Sequence, residues 1–275
     1  MRKNFFWVAL TAIARLFLLM TMAHAKAAHE PYSPEYDTSG NITEAEDFLP
    51  KIVGYDLSVV LAKSSPGQVG FIGNDGQRFY IHFISADKTK DDPYTYIIVG
   101  RTRVKNNICD FDGRITIRKA GIYKKVPADD EFPDFRQGFI GADVELFEVN
   151  GQKGSGKIKG ILHSYIAIDQ KGKLVYDDLR DNPNNLFSGT WTSYKTRAAK
   201  VCNFGHWRFP HTGLPEGVWL DQGVTQFLPK DEYIEKGWQS YAGCYRSYQA
   251  AGDARSPDKA REEACREEEK QWWLN

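Results

Sequence analysis

The sequence predicts a mainly β protein: a curved antiparallel meander that closes into a barrel or a sandwich, with a C-terminal helical hairpin. Three observations predict it. Between residues 138 and 208, apolar and polar side chains alternate in five short runs separated by turn chemistry, and strict alternation sends one face to a core and the other to water. Lone glycines stand inside three of these runs and an earlier one, at Gly100, Gly141, Gly160 and Gly189; an interior glycine weakens a strand, so its recurrence points to tight bending or to close approach of another backbone. After Arg208 the apolar period lengthens to a helical one.

At the N-terminus, Arg2 and Lys3 precede an apolar stretch from Phe5 to Met22, and Ala23-His24-Ala25 has the small-x-small form of a signal-peptidase site. Residues 1–25 therefore read as a cleaved export signal. Arg15 interrupts the stretch, which argues against a stable membrane span because a central Arg is expensive in lipid. Beyond it no apolar run is long enough to cross a bilayer. Residues 26–50 are polar, carry Pro31, Pro34 and Gly40, and read as a flexible arm.

Residues 51–209 form the predicted barrel-like domain. Strand signals begin at residues 57–61 and 69–72, and Asn74-Asp75-Gly76 turns the chain into residues 78–85. In the run 94–105, Tyr96, Ile98, Gly100, Thr102 and Val104 share a parity; Asn106-Asn107 turns, and residues 114–119 return with Ile115 and Ile117 opposite Arg114, Thr116 and Arg118. Residues 126–136 are acidic and Pro-containing, and read as a loop. Then come the five runs. Ile140, Ala142, Val144 and Leu146 oppose Asp143 and Glu145; Ile158, Leu162, Ser164, Ile166 and Ile168 oppose Lys157, Lys159 and His163. Asp169-Gln170-Lys171-Gly172 is a hairpin turn into residues 173–179. Phe187, Gly189 and Trp191 oppose Ser188, Thr190 and Thr192, and residues 201–208 supply the fifth run. The total is about nine or ten strands, enough for a barrel or a sandwich.

Residues 210–230, broken by Pro210, Gly213, Pro215, Gly217, Gly223 and Pro229, read as a linker. In the extension 231–275, Ile234, Trp238, Tyr241, Tyr245 and Tyr248 recur at helical spacing, and Ser256-Pro257 caps a second, charged helix. Four cysteines in an exported chain read as disulfides. Pairing within regions predicts Cys109–Cys202 in the sheet and Cys244–Cys265 in the tail.

Function is less legible. The 36 basic and 36 acidic side chains cancel, so no global field recruits nucleic acid or an anionic membrane. The histidines lack zinc spacing, there is no G-x-S-x-G elbow, and no cofactor motif is present. Asp110-Phe111-Asp112-Gly113 lacks the later Glu of a calcium loop and reads as a turn. Two groups stand out as candidate ligand contacts. Arg101, Arg103, Arg114 and Arg118 would share a sheet face, where they form an anion-binding surface or are each neutralised by a neighbouring carboxylate. His206-Trp207-Arg208 joins a proton-transfer group, a stacking ring and a guanidinium. The meander resembles lipocalin-type barrels in general texture, although Gly189-Thr190-Trp191 lies late in the chain where lipocalins carry their Gly-x-Trp near the first strand. The expected function is a non-catalytic exported binding protein for an anionic small ligand or an acidic protein partner, with a protective inhibitor as a variant. The alternative is an exported hydrolase acting on glycan or lipid.

Overall fold

The structure, a computed structural model, describes residues 45–62, 68–124, 135–176, 184–210, 219–221, 227–245 and 259–274. The export signal, most of the arm, and the Ser256-Pro257 cap lie outside the described residues.

The five alternating runs become five strands: β7 (Arg136–Glu148), β8 (Gly156–Ile168), β9 (Leu174–Tyr176), β10 (Asn184–Ser193) and β11 (Ala199–His206). Preceding them are β1 (Ala45–Asp47), β2 (Gln68–Ile72), β3 (Gln77–Arg78), β4 (Tyr80–Lys88), β5 (Thr95–Val104) and β6 (Asn107–Tyr123). All eleven join one antiparallel sheet in the order β3-β2-β11-β10-β8-β7-β6-β5-β4, with β1 on β6 and β9 on β8. The sheet curls into a half-barrel. The ends of its path, β3 and β4, are consecutive in the chain, and between them the Phe79 amide donates to the Gly70 carbonyl at 3.0 Å.

The inward parity is the one read from the sequence. Tyr96, Ile98, Ile115, Ile140, Val144, Leu146, Ile158, Leu162 and Phe187 are all buried in one core. Gly160 and Gly189 lie beneath the Phe187 ring: a Cβ on Gly189 would fall 2.4 Å from Phe187 Cζ. Phe187 in turn stacks on Phe204 with ring centroids 4.5 Å apart. These glycines thus make room for an aromatic layer.

Three expectations for residues 51–209 need correction. Residues 57–61 are not a strand: Ser58–Leu61 is a helix, with Leu57, Val60 and Leu61 buried and Val59 54 % exposed. That i, i+3, i+4 pattern is helical, and a short apolar run does not by itself distinguish the two states. The hairpin turn before β6 is Lys105-Asn106, since Val104 pairs with Asn107, and residues 110–113 continue the strand. Finally, Cys109 and Cys202 are free and buried. Both face inward, but β6 and β11 are separated in the sheet by β7, β8 and β10, and Cys109 Sγ packs against Asn107 and the Lys153 carbonyl. Cys244 and Cys265 are bonded as expected.

One end of the half-barrel is plugged by the segment before β2. Helices Leu49–Ile52 and Ser58–Leu61 bring Ile52, Leu57, Val60 and Leu61, with Phe48, into the main core. Backbone groups tie the plug down: the Phe48 amide to the Ala120 carbonyl at 2.9 Å, the Leu57 amide to the Tyr96 hydroxyl at 3.0 Å, and Asn185 Nδ2 to the Val60 carbonyl at 2.9 Å.

The C-terminal extension covers the outer face of β2 and β11. A hairpin of β12 (Trp219–Asp221) and β13 (Phe227–Pro229) leads into helices Asp231–Ile234 and Gln239–Tyr245, then Lys259–Glu268 and a 3-10 turn Trp272–Leu274. The single helix suggested by the Ile234-to-Tyr245 spacing is broken at Gly237, whose φ is +92°. Val69 and Phe71, on the outward parity of β2, form a second core with Phe209, Leu228, Trp238 and Tyr241.

Candidate functional site

The end opposite the plug is open. Strands β5, β7 and β10 finish there and β6, β8 and β11 begin there, so the inward positions of six strands converge on one mouth. A cavity of about 290 Å³ fills it, walled by Ile72, Phe79, Val104 and Trp191, with Lys153 and Lys200 exposed at its rim.

Glu148 lines this cavity and is only 4 % exposed. Its Oε1 accepts the Thr102 hydroxyl, and Oε2 accepts the Gly156 amide at 2.7 Å and Trp191 Nε1 at 2.9 Å. Burial raises the Glu148 carboxyl above its ordinary value, against the opposing pull of these three donors. Four strands are thereby joined at one charged, desolvated point. Nearby, burial and then the Glu148 charge push the Cys109 thiol up to about 11, and the same causes raise Cys202. Both thiols are thus held protonated at neutral pH and are poor nucleophiles.

The residues singled out in the sequence lie elsewhere. Arg101, Arg103, Arg114 and Arg118 do share the outer face of β5 and β6, but the register offsets them: Arg101 lies opposite Asp110 and Arg114 opposite Ile97. Arg101 pairs with Asp110 at 2.7 Å, Arg118 with Asp143 at 2.6 Å, and Arg114 with Glu145, which also takes Lys159. Arg103 instead lies over the rings of Tyr80 and Trp272, at 4.0 and 5.1 Å. His206, Trp207 and Arg208 are at the plugged end of β11. His206 is buried opposite Asn184 and Gln68, its ring 5.1 Å from that of Trp207. The structure does not bring this group together with the arginines.

Glu148 was not singled out in the sequence, although a signal for it is present. It continues the parity of Ile140, Ala142, Val144 and Leu146, and a carboxylate on the apolar parity of a strand is a buried charge that must find donors. No protein-family model, curated protein or solved structure matches the chain.

Proposed function

We propose that the chain is an exported, non-catalytic binding protein whose half-barrel mouth takes a small amphipathic ligand. The observation that carries this reading is the cavity itself: apolar walls, a buried carboxylate on its lining, and two lysines at the rim. Ligand sites combine these features, with few polar groups fixing orientation in an apolar enclosure. The apolar body of the ligand would rest against Trp191, Phe79 and Val104, and an anionic substituent would reach Lys153 and Lys200. The remaining acceptor capacity of Glu148 Oε1 suits a donor on the ligand.

The hydrolase alternative draws less support. Glycosidases need two carboxyl groups, whereas among the described residues Glu148 is the one carboxylate lining the cavity, and both its oxygens already accept protein donors. For export, the support is the N-terminal signal pattern and the Cys244–Cys265 bond, since disulfides persist in oxidising compartments.

The test uses 1-anilinonaphthalene-8-sulfonate, an apolar ring system with one negative charge, as the probe. Saturable binding with energy transfer from Trp191 is expected, weakened at least tenfold by Val104→Trp with unchanged circular dichroism. Absence of saturable binding, or a Val104→Trp variant that binds like the parent, would overturn the proposal.

A further inference from the structure

A second cleft, of about 520 Å³, lies outside the barrel between the β5–β6 turn and the C-terminal tail. Arg103, Lys105 and Asn106 line it from the hairpin, and Glu267, Lys270 and Trp272 from the tail. Three cations thus face one carboxylate, which among the described residues is paired with Lys270.

Arg103 differs from the other arginines of this face. Arg101, Arg114 and Arg118 each hold a carboxylate, whereas Arg103 has none among the described residues. Its guanidinium lies over the Tyr80 ring at 4.0 Å and within 5.1 Å of the Trp272 ring, and its buried Nε has no hydrogen-bond partner. Contact with aromatic rings does not consume the donors of the fork, which stay available to bind an oxyanion bidentately. Lys105 is exposed at the turn and likewise lacks an acidic partner among the described residues; its φ of +54° is a left-handed conformation uncommon for lysine. The two-residue turn would accept Asn or Gly at this point with less strain, yet it carries a charge directed beside the cleft.

We propose that this cleft binds a compact polyanion, a small molecule bearing two or more phosphate or carboxylate groups, through Arg103, Lys105 and Lys270. The volume is in the range of small-molecule sites, and the net positive lining matches a multiply charged ligand. Because Trp272 belongs to the cleft wall, its fluorescence reports occupancy. The site is separate from the barrel mouth, so it stands or falls independently of the ligand proposed there.

The experiment titrates the full exported chain with pyrophosphate and, separately, citrate at low ionic strength, following tryptophan fluorescence and calorimetric heat. Saturable binding of at least one is expected, weakening as salt is raised. Tighter pyrophosphate indicates phosphate selectivity and tighter citrate indicates carboxylate selectivity. Arg103→Gln should weaken binding at least tenfold. Since that change also loosens the contact with Trp272, Lys105→Asn serves as the second variant: it keeps a residue suited to the left-handed turn and should weaken binding about threefold or more. Arg114→Gln with Arg118→Gln, which removes paired charges from the same sheet face, should leave affinity within twofold. No saturable binding of either probe, or an equal loss in the Arg114/Arg118 control, would refute the site.

Discussion

Glu148 is held from four strands, by its own β7 and by donors on β5, β8 and β10, so its replacement separates charge from hydrogen bonding. Burial raises its carboxyl above the ordinary 4.5. A raised acid binds its proton more tightly when folded; the contribution is intact below the unfolded value and is lost as pH rises through the folded one. Glu148→Gln can still accept from Gly156 and Trp191 with its carbonyl and donate to Thr102 with its amide. Urea unfolding should therefore show Glu148→Gln close to the parent at pH 4 and equal or more stable at pH 7. Glu148→Leu orphans the Trp191 and Gly156 donors and should cost about 1–3 kcal/mol for each. A Gln variant markedly less stable than the parent at pH 7 would mean the charge itself holds the mouth. His163 gives the opposite pH signature. Its ring is packed between Phe139 and Tyr165, at 5.6 and 5.0 Å, and burial, with Lys119 nearby, lowers it to about 4. A lowered base stabilises above its unfolded value and loses that contribution as pH falls from about 6.5 towards the folded value. The parent should lose up to about 2 kcal/mol by pH 5 from this group, and His163→Phe, which keeps the ring stack, should lose correspondingly less. Parallel pH profiles for the two proteins would show that His163 does not titrate with folding.

At the scale of elements, the strands with one wet face were legible and the rest was not, for separable reasons. β7 alternates in burial from Ala142 to Glu148 and β8 from Gly156 to Ile166 with one lapse at Gly160, and such length leaves only one register that buries the apolar set. The run 57–61 is too short for period to decide. Asp112-Gly113 resembles a turn, but its glycine serves the ladder: a Cβ there would lie 2.1 Å from the Glu145 carbonyl oxygen. Cysteine spacing carries no record of which strands lie adjacent, so Cys109 and Cys202 could not be resolved before the sheet order was known. Neither could the Arg103 cleft, because its tail wall comes from residues far along the chain. That tail is held by the second apolar core, a crosslink and a charge cage. Arg78, fully buried, bonds Glu268 at 3.0 Å and lies within 5.2 Å of the Tyr80, Trp238 and Tyr241 rings, while helix Lys259–Glu268 itself buries no residue fully. The Cys244–Cys265 bond spans 21 residues, for which loop entropy gives about 3 kcal/mol. Replacing both cysteines by Ser should release the tail from the sheet at lower urea than the barrel unfolds, seen as an early change in tryptophan fluorescence with little change in strand circular dichroism. Coincident transitions would show that tail and barrel remain one cooperative unit without the bond.

The described residues form a half-barrel with unlike ends, and its two apolar clusters divide it in a way that hydrogen exchange can read. The plug residues Leu57, Val60 and Leu61 belong to the same cluster as the barrel interior, whereas Trp238 and Tyr241 of the tail belong to the second. Contiguous burial couples elements into one cooperative unit, and separate clusters open separately. Although the plug is made of two four-residue helices that would be unstable alone, its amides should exchange with the slow class of β7 and β8, and those of Gln239–Tyr245 and Lys259–Glu268 should exchange earlier. Leu61→Ala makes the test sharper. Removing a fully buried Leu costs about 2–5 kcal/mol, and because the plug fills the barrel end, that loss should lower protection throughout β5, β6 and β8 by the same amount as in residues 58–61. Faster exchange confined to the plug would instead show that the barrel holds its shape with that end open, and that the segment is a cap resting on a core complete without it.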